Sequence, residues 1–248
     1  MPLWAQAGLW SLLGASSLLV GALLGYLLKL PTRLTAGIMA FGCGVLISAV
    51  AYDLIMEGFQ QGGLWPIIGG ALAGSAAYTI ANWLVNKGGG KHRKRSGDQQ
   101  KDQAGGGMAI AIGSLLDGVP ESIVLGVGLL TGGSVSLAML AAIFLSNLPE
   151  GMTSAIGMKK AGRSRLYVFG LWTGVVALST CAAATGAALL GDAAPSSIAA
   201  VNAVAAGALL AMIADTMLPE AVEEEHGGTG MLVVVGLLAA FALSHSSL

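Results

Sequence analysis

Long runs of Ala, Leu, Ile, Val and Gly alternate along this chain with short clusters of charge, Gly and Pro. The alternation marks out apolar stretches near residues 7–28, 35–59, 64–86, 108–130, 134–158, 165–190, 196–219 and 229–246. Each has about the 20 residues that a helix needs to cross a bilayer core of about 30 Å. The pattern predicts an all-α, polytopic membrane protein with eight transmembrane helices, in a single transmembrane domain covering residues 1–248. The first stretch has neither a basic leading segment nor a small-residue cleavage site, so it reads as a helix rather than a signal peptide. Glycines four apart, as at Gly21 and Gly25 or Gly70 and Gly74, read as places where helices pack closely.

Composition agrees with the pattern. Hydrophobic residues make up 55% of the chain and charged residues 10%, and the mean hydropathy is +0.77, far from the profile of a soluble domain. Cys43 and Cys181 sit alone in apolar runs without CxxC spacing, so each reads as a small buried hydrophobe.

The distribution of charge is more informative than the net charge of -1. All 12 Lys and Arg residues fall in the connections after the first, third and fifth stretches: Lys29 and Arg33, Lys87 to Lys101, and Lys159 to Arg165. With eight spans these connections share one side, which the positive-inside rule makes the cytoplasm. Both termini then lie outside, and the location expected is the cell (inner) membrane. Residues 87–107, rich in Gly, Lys and Gln, read as a disordered basic cytoplasmic loop. Orientation alone accounts for its charge, so no nucleic-acid partner is expected; the partners are metal ions and lipid, with the chain as a monomer or homodimer.

Against this apolar background the stretch FLSNLPEGMTSAIG, residues 144–157, stands out, because Ser146, Asn147, Pro149 and Glu150 interrupt it. DGVPES, residues 117–122, repeats proline then glutamate at the same offset on a stretch running the other way. Asp117 and Glu121 are four apart and share a helix face, as do Ser146 and Glu150. At 1.5 Å per residue Glu121 and Glu150 both come near the bilayer midplane. Pro120 and Pro149 would free the carbonyls of Leu116 and Leu145 one turn earlier. Carboxylates in hydrocarbon normally face a bundle interior or a watery path, so these groups outline a cation site.

A looser echo links AYDLIMEG, residues 51–58, with ADTMLPEA, residues 214–221. Asp53 and Glu57 fall toward the outer end of the second stretch, Asp215 and Glu220 toward the inner end of the seventh. Inverted repeats around a midplane site are the pattern of an alternating-access transporter. His226, beside Glu223, Glu224 and Glu225, could hold metal weakly at the exit, although a solvated acidic loop accounts for it as well.

On these features the chain resembles the ZIP (Zrt/Irt-like) divalent-metal transporters. In that family the fourth span carries His-Asn-x-Pro-Glu-Gly and the fifth a related motif. Asp117 stands at the histidine position, Gly118 at the asparagine position, and Glu121 matches the glutamate. Ser146 and Asn147 occupy the polar positions of span five, Glu150 matches its glutamate, and Asp53 resembles the acidic position of span two. The resemblance implies a 3+2+3 inverted-repeat helix bundle. It also implies transport of Zn, Mn or Fe ions as substrate, with no organic cofactor and no enzymatic activity. Asp53, Asp117, Glu121, Ser146, Asn147 and Glu150 would form the metal site, with Glu57, Asp215, Glu220 and His226 along the pathway. Without the family's membrane histidines the ligand set is oxygen only, so manganese or ferrous iron gain ground on zinc without displacing it.

Two other readings are a metal-binding or sensing relative that does not transport, and an intramembrane aspartyl protease using the Tyr52–Asp53 pair. For the protease only Gly191 and Asp192 resemble a second motif, and both PE motifs go unexplained.

Overall fold

Gly63, at φ 78°, is the single residue separating two long helices, and this tight reversal needs a backbone conformation that glycine adopts without strain. The computed structural model describes residues 1–28, 30–90, 107–132, 135–225 and 227–246. Among the described residues the chain is helical throughout, with no strand. The rods are α1 (Leu3–Leu27), α2 (Thr32–Gly62), α3 (Leu64–Val85), α4 (Gly107–Gly132), α5 (Leu137–Lys160) and α6 (Arg165–Leu190). They continue with α7, built of Pro195–Met212, Ile213–Met217 and Leu218–Glu225, and α8 (Thr229–Ser246).

Six of these rods, α1 to α4, α6 and α7, are long and apolar enough to cross a membrane. The protein is in this respect consistent with an integral membrane protein. Thr229–His245 of α8 is a shorter apolar helix. In α5 the polar groups around Pro149 and the terminal Lys159 and Lys160 dilute the apolar run.

The helix ends follow local chemistry. Ser136 and Ser164 cap α5 and α6, accepting from the backbone N–H of Met139 and Tyr167. The Ser136 cap starts α5 at Leu137, a little later than the apolar run suggests. Most of the expected basic loop, with Ser134 and His226, lies outside the described residues. Residues 87–90 of that loop belong to a wide π turn, Asn86–Gly90, continuing α3.

Two further π segments lie inside the rods: Val50–Met56 in α2 and Ile213–Met217 in α7. Such turns are rare and occur often at functional sites. They contain Asp53 and Asp215, the related residues of the AYDLIMEG and ADTMLPEA echo.

Burial separates a centre from a periphery. About two thirds of the apolar window of α2 is inside the bundle (67%), against 17% for α3. A core of Met39, Leu46, Leu125, Ile143, Leu209 and Met212 joins α2, α4, α5 and α7, while Leu18, Met158, Val168 and Trp172 join α1, α5 and α6. Leu72, Leu84, Leu178 and Leu238 face outward. An apolar periphery of this kind suits lipid as the surrounding medium.

α1 packs along α5, and α6 along α4; α3 packs along α7, and α8 along α2. α5 also touches α2, as α4 touches α7. Exchanging α1 with α6, α2 with α7, α3 with α8 and α4 with α5 leaves these neighbours unchanged. The glycine contacts follow the same exchange. A Cβ at Gly44 of α2 would overlap the Val233 carbonyl of α8, and one at Gly236 would overlap the Phe41 carbonyl. In α3 and α7 the reciprocal pair is Gly74 against Val204 and Gly207 against Ala71. These backbone contacts are what small residues at helix interfaces permit.

Candidate functional site

Pro120 and Pro149 lie inside continuous helices, so each removes one hydrogen bond without ending its helix. Glu121 lies about 21 Å along α4 from Gly107, and Glu150 about 20 Å along α5 from Leu137, so the two come to similar depths on opposed helices. Asp117, Glu121, Ser146, Asn147 and Glu150 are all buried, none more than 4% exposed.

One hydrogen bond ties the two motifs together. The Ser146 hydroxyl donates to Glu121 Oε1 at 3.0 Å, and the Ile143 carbonyl lies at the same distance as an alternative acceptor. On the next turn Thr153 donates to the Pro149 carbonyl at 2.9 Å, and in α4 Ser122 donates to the Gly118 carbonyl at 2.7 Å. Hydroxyls thus satisfy carbonyls within and next to the proline-containing turns. The Leu145 carbonyl, freed by Pro149, packs against Gly42 of α2, where an added Cβ would come within 3.0 Å of it. Gly118 has no side chain to ligate with, and a Cβ there would meet the buried Ser179 hydroxyl of α6 at 3.0 Å.

The remaining carboxylates are distributed around this centre. Asp117 accepts from the Tyr78 hydroxyl of α3 at 2.6 Å. Asp53 accepts from Ser136 at 2.7 Å, and Ser136 precedes Ser146 by about 15 Å of helix, so Asp53 belongs to another level of the bundle. Glu57 accepts from Gln61 at 3.1 Å, one turn beyond Asp53. Asp215 is exposed, with the Thr79 hydroxyl 3.5 Å away, while Glu220 is buried. Among the described residues no three His, Cys, Asp or Glu side chains come together as a metal-binding group. A bound ion at the centre would therefore draw also on Ser146, Asn147, backbone oxygen or water.

The described basic residues gather at helix ends. Lys159 donates to the Tyr26 carbonyl at 2.5 Å, and Arg165 lies over the Tyr26 ring, bringing the ends of α1, α5 and α6 together. Lys87 sits over the Trp83 ring at 3.7 Å, at the corresponding end of α3.

Tyr78, Ser136 and Asn202 are polar residues close to the acids that the motifs do not reveal. Their signal in the sequence is that each stands in or beside an apolar run, as Tyr78 does in GSAAYTIAN and Asn202 in AAVNAVAA. No protein-family model matches this chain, and no curated protein matches it.

Proposed function

We propose that the protein is a ZIP-like transporter that carries divalent metal cations across a membrane by alternating access. In this reading the eight rods are eight spans, with both termini outside and the 3+2+3 repeat inverted across the bilayer. The observation that carries it is the Ser146–Glu121 hydrogen bond, which joins two proline-containing helices at mid-length among buried Asp117, Asn147 and Glu150. Membrane-buried carboxylates are costly and mark ion paths. The neighbour exchange between the two sets of helices, and the matching π segments at Asp53 and Asp215, support a repeat whose halves could rock about a fixed site. The ligands on offer are oxygens, which suits Mn or Fe(II) at least as well as Zn.

Uptake of Mn²⁺, Fe²⁺ and Zn²⁺ into proteoliposomes tests the reading. Glu121→Gln and Glu150→Gln should each lower uptake by about a hundredfold, whereas Asp192→Asn, in the exposed turn after α6, should leave it unchanged. Normal uptake by both folded glutamine variants would remove the site. A metal-binding protein that does not transport would instead bind the ions and move none.

A further inference from the structure

A cavity of about 230 Å³ lies between α2, α4, α5 and α7, on the level of Asp53. Its oxygen-bearing side chains are Asp53 and Glu57 from α2, Ser136 from the cap of α5 and Asn202 from α7. Asn202 is 3% exposed, and its Oδ1 has no hydrogen-bond partner among the described residues. A buried amide oxygen without a donor is destabilising, and such a group in a cavity wall points to something that the cavity receives.

We propose that this cavity is a second cation site, where Asn202 Oδ1 and the carboxylates of Asp53 and Glu57 hold a hard divalent ion. Two carboxylates match the charge of one such ion. None of the lining residues is His or Cys, so the donor set is oxygen only and favours ions of the Mn²⁺ or Mg²⁺ kind over Zn²⁺. At about 30 Å³ per water the volume holds roughly eight waters, so the ion would keep much of its hydration shell while Asn202 and Asp53 replace part of it.

The position suits a waiting place on the way to Glu121. Asp53 and Ser136 also line a second cavity, of about 440 Å³, against Leu243 and Ser244 of α8. Their 2.7 Å hydrogen bond therefore stands where the two spaces meet. The inference rests on the transporter reading for the kind of ion that arrives, and the two can be tested apart.

Mn²⁺ binding to the full chain in lipid nanodiscs, followed by electron paramagnetic resonance of the free ion, makes the test. The unaltered protein should bind about two ions, one at each level. Asn202→Leu and Asp53→Asn should each weaken one site by about tenfold or more and leave the other. The double variant Glu121→Gln/Glu150→Gln should retain the site that Asn202→Leu removes. Asn202→Asp adds a third carboxylate and should tighten the cavity site by about tenfold. Unchanged binding in both Asn202 variants would overturn the second site, whatever the glutamates do. If Asn202→Leu does not fold, unchanged affinity in Asn202→Asp overturns it alone. If the double glutamine variant binds like the parent while Asn202→Leu loses its ion, the mid-membrane reading fails and the cavity site stands.

Discussion

Tyr78 of α3 donates its phenolic hydrogen to Oδ1 of Asp117 on α4 at 2.6 Å, with the tyrosine 2% exposed and the aspartate 1%. Both partners are inside the bundle, so the bond fixes a peripheral helix to one that carries the site. Tyr78→Phe keeps the ring and leaves the carboxyl without this donor. It should destabilise the protein by about 1–3 kcal/mol, read as a lowered thermal midpoint in detergent, while Tyr167→Phe near the start of α6 should change little.

The reciprocal glycine contacts give a contrast of sign. Gly207→Ala drives a methyl group into the Ala71 carbonyl, backbone against backbone, with no flexible side chain to yield. The cost should be about 3 kcal/mol, or enough to prevent assembly. At Gly69 of α3 a Cβ meets nothing within 4 Å. Gly69→Ala should therefore stabilise by about 0.5–1 kcal/mol through its effect on helix entropy. Equal effects from the two substitutions in a thermal-unfolding assay would mean that α3 and α7 do not touch as described.

Orientation can be read with an impermeant thiol reagent on a variant lacking Cys43 and Cys181. A cysteine at Ser196, exposed at the start of α7, should label from outside intact cells, and one at Lys160, exposed at the end of α5, should label only after the membrane is opened. The reverse pattern would exchange the two mouths of the proposed path.

Metal uptake should depend on pH in a fixed direction. Oxygens of Asp117, Glu121 and Glu150 ligate only when unprotonated, so protons compete with the ion and metal binding releases them. Apparent affinity should fall as pH is lowered into the range where carboxylates take up protons, about 5 and below for unperturbed groups. Calorimetry in buffers of different ionisation enthalpy counts the protons released, and a count of zero with pH-independent affinity would separate the acids from the ion.

The positions of the helices were legible in the apolar runs because charge, Gly and Pro punctuate them at their ends. The α4–α5 motif was legible for a related reason: Pro beside Glu is conspicuous among Ala and Leu, and opposed helices of similar length bring Glu121 and Ser146 to the same level. The place of Asp53 was not. Its partner Ser136 is a helix cap, and the acceptor that a cap's hydroxyl finds depends on which helix passes over it. Tyr78 and Asn202 were hidden for the same reason, since the face a span turns inward depends on its neighbours, and a weakly amphipathic run such as α3 gives little clue to that rotation. The π segments at Asp53 and Asp215 leave no mark in composition, although the echo between their sequences pointed to the two places.

The wide turns of α2 and α7 have a consequence for how the gene can change in length. A π turn closes its hydrogen bonds one residue further along than an α turn does, so Val50–Met56 and Ile213–Met217 hold slack that the rest of each rod lacks. Deleting the codon for Ala51 would take up that slack, restore ordinary winding, and leave everything beyond it close to its present face. Glu57 would then stay on the cavity wall while the wide turn itself was lost. A one-codon deletion here would leave a well-made rod with Glu57 still in place, whereas the same deletion in α1, which holds no such slack, would turn the rest of that helix and break the Gly21 and Gly25 contacts with α5.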